Sequence, residues 1–271
     1  MKKTVGILTL GCKVNQYESE AIAEGFTAAG FLLRSPDDVC DVYVINTCTV
    51  TAESDRKAGQ FIRRAGAKNP EALILVTGCF SQVSPDKVAK LPRVDYVCGN
   101  SDKMSVVQIA EQLLKDGKRS SAEIAVEDIQ SAPFEPMTIT RFDRTRAYVK
   151  IEDGCENRCT YCTIPAARGK VRSKPLDEVV REVEGLARGG CREVVLTGIE
   201  TASWGRDLDG VSLADLLETV DSIQGLERVR LGSLDPSLMR EGFVARLAKL
   251  RTLAPHFHLR CRVAVRVSLP P

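Results

Sequence analysis

No stretch of this 271-residue sequence approaches the roughly 18 consecutive apolar residues that a membrane-spanning helix needs. A signal peptide is not expected either. After Met1-Lys2-Lys3 the apolar run Val5 to Leu10 is too short for a secretory core, and no small-residue cleavage site follows. The protein is therefore expected in the cytoplasm, with no membrane partner. Charge imbalance is also absent: a formal net charge of +2 announces no polyanionic partner, so any nucleic-acid surface must be local. Histidine is reduced to His256 and His258, which read as packing residues at a strand end and not as an acid–base pair. What remains, 44% apolar and 27% charged residues, is the composition of a folded chain of one large or two medium domains.

Cysteine is present in quantity. Ten in a short secreted chain would mean a disulfide framework; here they cluster in one loop and at the ends of apolar runs, which points to metal ligation in a reducing compartment. The densest stretch is Gly154-Cys155-Glu156-Asn157-Arg158-Cys159-Thr160-Tyr161-Cys162, spaced C-x3-C-x2-C. A tetrahedral zinc site needs a fourth ligand, and no Cys or His lies nearby to supply it. Three thiolates suit a four-iron cluster, leaving one iron free to bind a substrate. A zinc loop that borrows a distant ligand is the competing reading.

Before this loop, apolar runs alternate with helical patterns. Val5 to Leu10 precedes a helix from about Tyr17 to Ala29, closed by Gly30; Val42 to Ile45 precedes a helix from about Ala52 to Ala65. Leu73 to Val76 and Asp95 to Cys98 follow, then a helix from about Met104 to Leu114. Such continuous runs predict a parallel sheet covered by helices on both faces. Cys12, Cys48 and Cys79 each fall just past the end of a predicted strand. In an open parallel sheet those ends share one edge, where ligands bind, so the three can converge on one metal. Small residues packed at strand ends are the alternative for each taken singly. Cys40, Cys98 and Cys191 read as packing residues.

The triplet Cys155, Cys159 and Cys162 resembles the signature of the radical S-adenosylmethionine (SAM) superfamily. Leu10-Gly11-Cys12-Lys13-Val14-Asn15-Gln16-Tyr17, Asn46-Thr47-Cys48, Thr77-Gly78-Cys79, Ile164-Pro165 and Arg168 to Ser173 extend the likeness, over roughly residues 4–259, to the radical-SAM methylthiotransferases. Cys-Lys-Val-Asn-Gln is most similar to the branch acting on N6-threonylcarbamoyladenosine beside the tRNA anticodon. The resemblance implies an enzyme that adds a methylthio group to C2 of that adenosine, with tRNA as partner and an electron donor such as flavodoxin or ferredoxin. It implies SAM and two 4Fe-4S clusters, one on Cys155, Cys159 and Cys162 that reduces SAM to a 5′-deoxyadenosyl radical, the other on Cys12, Cys48 and Cys79 that carries the sulfur. A second SAM gives the methyl group. Tyr161 would lie by the adenine of SAM. An inactive iron–sulfur or zinc-binding fragment is the alternative, as is the same chemistry on isopentenyladenosine tRNA or a ribosomal protein.

The expected architecture is α/β. Residues 1–116 form an N-terminal open parallel sheet flanked by helices; residues 117–140, with Gly117, Ser120-Ser121, Pro133 and Pro136, form a linker with one short strand at Glu123 to Val126. Residues 141–259 form an incomplete radical-SAM (β/α) barrel: strands Thr145 to Ile151, Glu193 to Thr197 and Arg228 to Leu231, with helices between and after them. At its strand ends Gly198 and Glu200 occupy the place of the superfamily's glycine-rich segment, and Ser233 and Asp235 resemble ribose-side contacts. Arg168, Lys170, Arg172 and Lys174 recur at period two, so an extended segment would show all four on one face. With Arg141, Arg144 and Arg146 they could bind tRNA phosphate; Arg168 has SAM or the adenine substrate as alternatives. Residues 260–271 match no family strand, which reads as a truncation or a shifted frame that leaves an unpaired barrel edge.

Overall fold

The computed structural model describes residues 2–49, 52–142, 145–157 and 159–259; Arg144, Arg158 and the 260–271 tail lie outside them. The first half runs β1 (Thr4–Thr9), α1 (Lys13–Ala28), β2 (Leu32–Arg34), β3 (Val42–Thr47), α2 (Ala52–Lys68), β4 (Leu73–Gly78), α3 (Cys79–Val83), α4 (Pro85–Ala89), β5 (Tyr96–Cys98), α5 (Ser105–Asp116) and β6 (Glu123–Ala125). Its six strands form one parallel sheet in the order β2-β1-β3-β4-β5-β6.

Every residue of β3 and β4 is buried, because both faces are covered. Successive residues serve opposite cores. Val42, Val44, Leu73 and Leu75 meet Ile22 and Phe26 of α1 and Val106, Ala110 and Leu113 of α5. Tyr43, Ile45, Ile74 and Val76 meet Phe61 and Ile62 of α2 and Val88 of α4. Each such side chain removed from water contributes about 1.5–3 kcal/mol, which holds the central strands in register.

The stretch expected as a linker supplies β6, which pairs with β5 as the sixth strand. Further on, Met137 and Ile139 are buried in a core shared with the second half. That half runs β7 (Ala147–Lys150), β8 (Glu152–Asp153), α6 (Ile164–Arg168), β9 (Arg172–Ser173), α7 (Leu176–Arg188), β10 (Glu193–Thr197), α8 (Leu213–Asp221), β11 (Arg228–Leu231), β12 (Ser233–Leu234), α9 (Glu241–Leu247) and β13 (His258–Leu259). β7, β10 and β11 lie side by side and parallel; β12 pairs with β13, and Val229 bridges to Leu253. Consecutive strands are thus neighbours with helices between them, the beginning of a (β/α) arc that does not close among the described residues. Ser212 and Asp215 form a reciprocal cap that fixes the start of α8. Both histidines are exposed, so the expected packing role at the strand end is corrected: His258 sits on a two-residue strand that no other described element covers.

The cysteine loop is tied at its base. β8 and β9 pair antiparallel, with Asp153 opposite Arg172, and the Cys155 amide donates to the Gly169 carbonyl at 3.0 Å. Gly154 has φ 88°, and a Cβ there would stand 1.9 Å from the Lys170 carbonyl oxygen. Gly30 has a similar φ of 87° but nothing within 4 Å of its missing Cβ. Gly30→Ala is therefore expected to cost about 1–2 kcal/mol of backbone strain, and Gly154→Ala about 3 kcal/mol or more, in urea denaturation. Equal costs would refute the close approach at Gly154.

Candidate metal centre

The sheet order reverses between β1 and β3: the chain leaves β1 toward β2 and resumes on the other side with β3. Ligands of open α/β sheets bind outside the strand ends at such a point. Cys12 caps the start of α1 after β1, Cys48 follows β3, and Cys79 opens α3 directly after β4. The three strand-end cysteines therefore come from three adjacent strands.

The residues around them knit the strand ends together. Asn15 donates through Nδ2 to the carbonyls of Leu10 at 2.7 Å and Thr47 at 2.9 Å. Asn46 donates back to the Asn15 carbonyl at 3.0 Å and to Ser19 Oγ at 3.1 Å. Thr47 Oγ1 donates to the Thr77 carbonyl, and Thr77 Oγ1 to that of Gly99. A Cβ on Gly11 would lie 2.7 Å from Cys48 Cβ, and one on Gly78 would lie 2.4 Å from the Thr47 carbonyl oxygen, so only glycine lets these turns meet. The polar residues beside each cysteine in the sequence are the fasteners of this edge.

Behind the cysteines lies an ion cluster that the sequence did not disclose. Glu18 of α1, fully buried, accepts from Arg168 Nη1 at 2.6 Å and Lys150 Nζ at 3.0 Å, and pairs closely with Lys103. Arg168 also pairs with Asp153 at 3.1 Å, and Asp153 with Lys150 and Arg172 at 3.6 Å. Burial drives the Glu18 carboxyl upward, but Arg168, Lys103 and Lys150 outweigh it and hold it well below the usual carboxylate range. Asp153 is lowered in the same way, against burial, by Arg168 and Lys150. A second buried set joins Lys174 to Glu182 at 2.5 Å and to the Met137 carbonyl at 2.7 Å, with the single Tyr17 hydroxyl 2.6 Å from the Met137 carbonyl oxygen and 2.9 Å from Glu182 Oε1.

These contacts correct the expectation of a phosphate-facing stripe. Arg168, Arg172 and Lys174 are buried and spent on Glu18, Asp153, Glu182 and backbone carbonyls; Lys170 alone of the four is exposed. The stretch runs between the two halves, so its side chains meet Glu18 of the first and Asp153 and Glu182 of the second before they reach water.

In the loop itself Cys155 is buried, Cys159 and Cys162 are half-buried, and Tyr161 is 78% exposed. Gly198 lies against Glu152: a Cβ would stand 2.5 Å from Glu152 Oε2, which accepts from the Glu200 amide at 2.7 Å. Burial, then the neighbouring Asp153, pushes the Glu152 carboxyl well above its ordinary range. Ser233 is half-buried on β12.

Among the described residues no three Cys, His, Asp or Glu side chains already stand around one point as a metal set. The donors nonetheless fit a thiolate-held group. Soft sulfurs from three neighbouring turns suit iron–sulfur or zinc. Among the described residues two buried polar atoms near Cys79 have no hydrogen-bond partner: Oδ1 of Asn100, whose amide nitrogen lies 3.6 Å from Cys79 Sγ, and Oγ of Ser81, two residues after Cys79. Cys12 is exposed as a residue, yet desolvation around its sulfur pushes the thiol pKa up against the pull of Arg168. Asn15, Glu18, Asn100, Glu152 and Asp153 were all missed as site residues. A signal existed for the last two, since charged residues interrupt the apolar strand at Lys150-Ile151-Glu152-Asp153.

Residues 4–99 match the model of the uncharacterized protein family UPF0004, and residues 149–260 that of the radical SAM superfamily. The threonylcarbamoyladenosine tRNA methylthiotransferase MtaB of Bacillus subtilis is 40% identical over 94% of this chain and 57% of its own length. Its counterpart in Thermotoga maritima is 40% identical over 95% and 58%. A tRNA-2-methylthio-N(6)-dimethylallyladenosine synthase of Natranaerobius thermophilus is 32% identical over 93% and 57%. The chain thus spans a little under three fifths of the length of these curated relatives. A solved radical SAM methyltransferase, TsrM from Kitasatospora setae, shares the fold with a TM-score of 0.60 at 16% identity, over 93% of this chain and 58% of that one. No described helix is long and apolar enough to cross a membrane.

Glu18→Gln leaves three buried cations without their carboxylate and is expected to cost about 3–5 kcal/mol in urea denaturation at pH 7. Because the folded-state pKa of Glu18 is depressed, its contribution is complete above the ordinary carboxyl value of 4.5 and is lost as pH falls below it. The gap between wild type and variant should therefore be flat from neutral pH down to about 5 and shrink in stronger acid. A gap that widens in acid would refute the assignment of charge.

Proposed function

Because the chain belongs to the radical-SAM methylthiotransferase family, we propose that it serves the methylthiolation of C2 of N6-threonylcarbamoyladenosine in tRNA. In this reading Cys155, Cys159 and Cys162 hold one 4Fe-4S cluster, and Cys12, Cys48 and Cys79 hold a second. The observation that carries it is the placement of Cys12, Cys48 and Cys79 at the ends of three adjacent parallel strands, on the edge that α6 of the cysteine loop approaches through Arg168.

The clusters and SAM, when bound, supply one-electron chemistry, sulfur and methyl groups, which an unactivated C2–H needs because it has no acidic proton. The chain's own residues do the rest. Each three-thiolate set leaves one iron without a protein ligand, so each can take a small ligand. Gly198 allows close backbone approach at the end of β10, where Glu200 belongs to the same turn. Glu152, whose carboxyl burial and then Asp153 push well above its ordinary range, lies against this turn. Tyr161 presents its ring to solvent on the loop, as a stacking platform for an adenine would. Of the four basic residues after the loop, Lys170 is the one available to tRNA phosphate. The electron donor would be a small carrier such as flavodoxin or ferredoxin. The match to threonylcarbamoyladenosine enzymes at 40% identity, against 32% for the dimethylallyladenosine enzyme, supports the choice of nucleoside.

Anaerobic reconstitution should load about eight irons with matching sulfide, falling to about four in Cys155→Ala/Cys159→Ala/Cys162→Ala. Four irons lost entirely in that variant would leave the strand-end cysteines as packing residues, and zinc with little iron would overturn the whole reading. Mass spectrometry of tRNA nucleosides from a complemented deletion strain tests the substrate: no gain of the methylthio nucleoside would sink the tRNA assignment.

A further inference from the structure

Arg168 is fully buried, and its guanidinium fork is fixed on almost every side. Nη1 donates to Glu18 at 2.6 Å and to Asp153 at 3.1 Å. Nη2 donates to Asn15 Oδ1 at 2.5 Å and to Glu18 Oε2 at 3.2 Å. One donor remains, Nε–H, and it points at Cys79 Sγ from 3.3 Å. Cys79 Sγ takes a second, longer contact at 3.6 Å from Asn100 Nδ2, which also holds the Ala167 carbonyl next door. Asn15 Oδ1, bonded to Arg168, lies 3.7 Å from Cys12 Sγ. One guanidinium thus touches one strand-end cysteine directly and a second through a single amide. Complete burial leaves Arg168 no route to a phosphate on the surface.

We propose that Arg168 is the positioning residue of the strand-end cysteines: its Nε–H donates to Cys79 Sγ and thereby makes the group those cysteines hold easier to reduce. The inference rests on reading Cys12, Cys48 and Cys79 as cluster ligands. An N–H donor draws electron density from a ligating sulfur and favours the more reduced, more negative state of a cluster, and hydrogen bonds to sulfur are among the determinants of cluster potential. Arginine suits the task because it stays charged when buried and its plane cannot turn once Glu18, Asp153 and Asn15 hold the other donors. Lysine could restore the charge but not the directed N–H.

The test uses the full chain carrying Cys155→Ala/Cys159→Ala/Cys162→Ala, so that iron can bind only at the strand ends. The midpoint potential of the reconstituted protein is read by titration with dithionite and mediators, followed by electron paramagnetic resonance. It is compared after adding Arg168→Met, Arg168→Lys or Asn100→Ala. The expected result is a shift to more negative potential in Arg168→Met and Arg168→Lys, and a smaller shift of the same sign in Asn100→Ala. Should Arg168→Met fail to fold with Glu18 and Asp153 unpaired, the charge-keeping Arg168→Lys and the neutral Asn100→Ala still decide the matter. Iron retained at an unchanged potential in those two would overturn the proposal, whatever happens to thermal stability. No iron in the starting protein would overturn the ligand reading itself, and the proposal with it.

Discussion

Glu18 is the point on which the two halves of the molecule agree. A carboxylate with no exposure to water is expensive, and three cations brought to it are more so; the set is tolerable only because every charge has a partner. The partners come from different places. Glu18 sits on α1, Lys103 precedes α5, Lys150 ends β7, and Arg168 ends α6. Apolar packing would let these elements slide by a fraction of a turn at modest cost, whereas a mismatched charge would not. The cluster therefore specifies arrangement more than it adds stability. Helix α1 is the shared wall: Ile22 and Phe26 belong to the core of the first sheet, Tyr17 and Ala21 to that of the second.

The cysteines inherit their positions from that wall. Cys12 stands at the start of α1, less than two turns before Glu18, and Asp153 stands two residues before Cys155. Fixing Glu18, Arg168 and Asp153 against one another therefore fixes both cysteine sets from behind, through backbone already pinned by Asn15, Asn46 and the β8–β9 pair. Strand ends and a loop clasped at its base place the cysteine backbones, while among the described residues the side chains themselves do not gather around one point.

The sheet was readable because its signal is local. Runs such as Val42-Tyr43-Val44-Ile45 and Leu73-Ile74-Leu75-Val76 can only be strands buried on both faces, and the cysteines after them mark the ligand edge by rule. The ion cluster was not readable, because it is a fact about pairs far apart in sequence. Glu18 follows Tyr17 in a helix where a glutamate is ordinarily outward, and nothing near it announces Lys150 or Arg168. The same limit explains the basic stretch. Period two says that alternate side chains share a face; it does not say whether that face meets solvent, and for Arg172 and Lys174 it meets Asp153, Glu182 and Met137 instead. In residues 117–140 glycines and prolines signal the absence of a long element, and β6, close to the short strand expected at Glu123 to Val126, needs only three residues and the free edge of β5.

Satisfied and unsatisfied polar atoms are unevenly distributed among the described residues. Native interiors leave few buried polar groups without a partner, and those few call for a reason. Inside the ion cluster Glu18, Lys103, Lys150, Arg168 and Asp153 are all engaged. Among the described residues the unpartnered buried atoms include Ser81 Oγ, Asn100 Oδ1, Glu152 Oε1 and Thr201 Oγ1 near strand ends, but also Arg172 Nε at the rim of the cluster, Asp55 Oδ1 of α2 and Glu135 Oε2. Desolvating such groups costs about 1–3 kcal/mol each, so a fold that merely needed to pack would replace them with apolar residues. Those at the strand ends lie where an open α/β sheet receives its ligands.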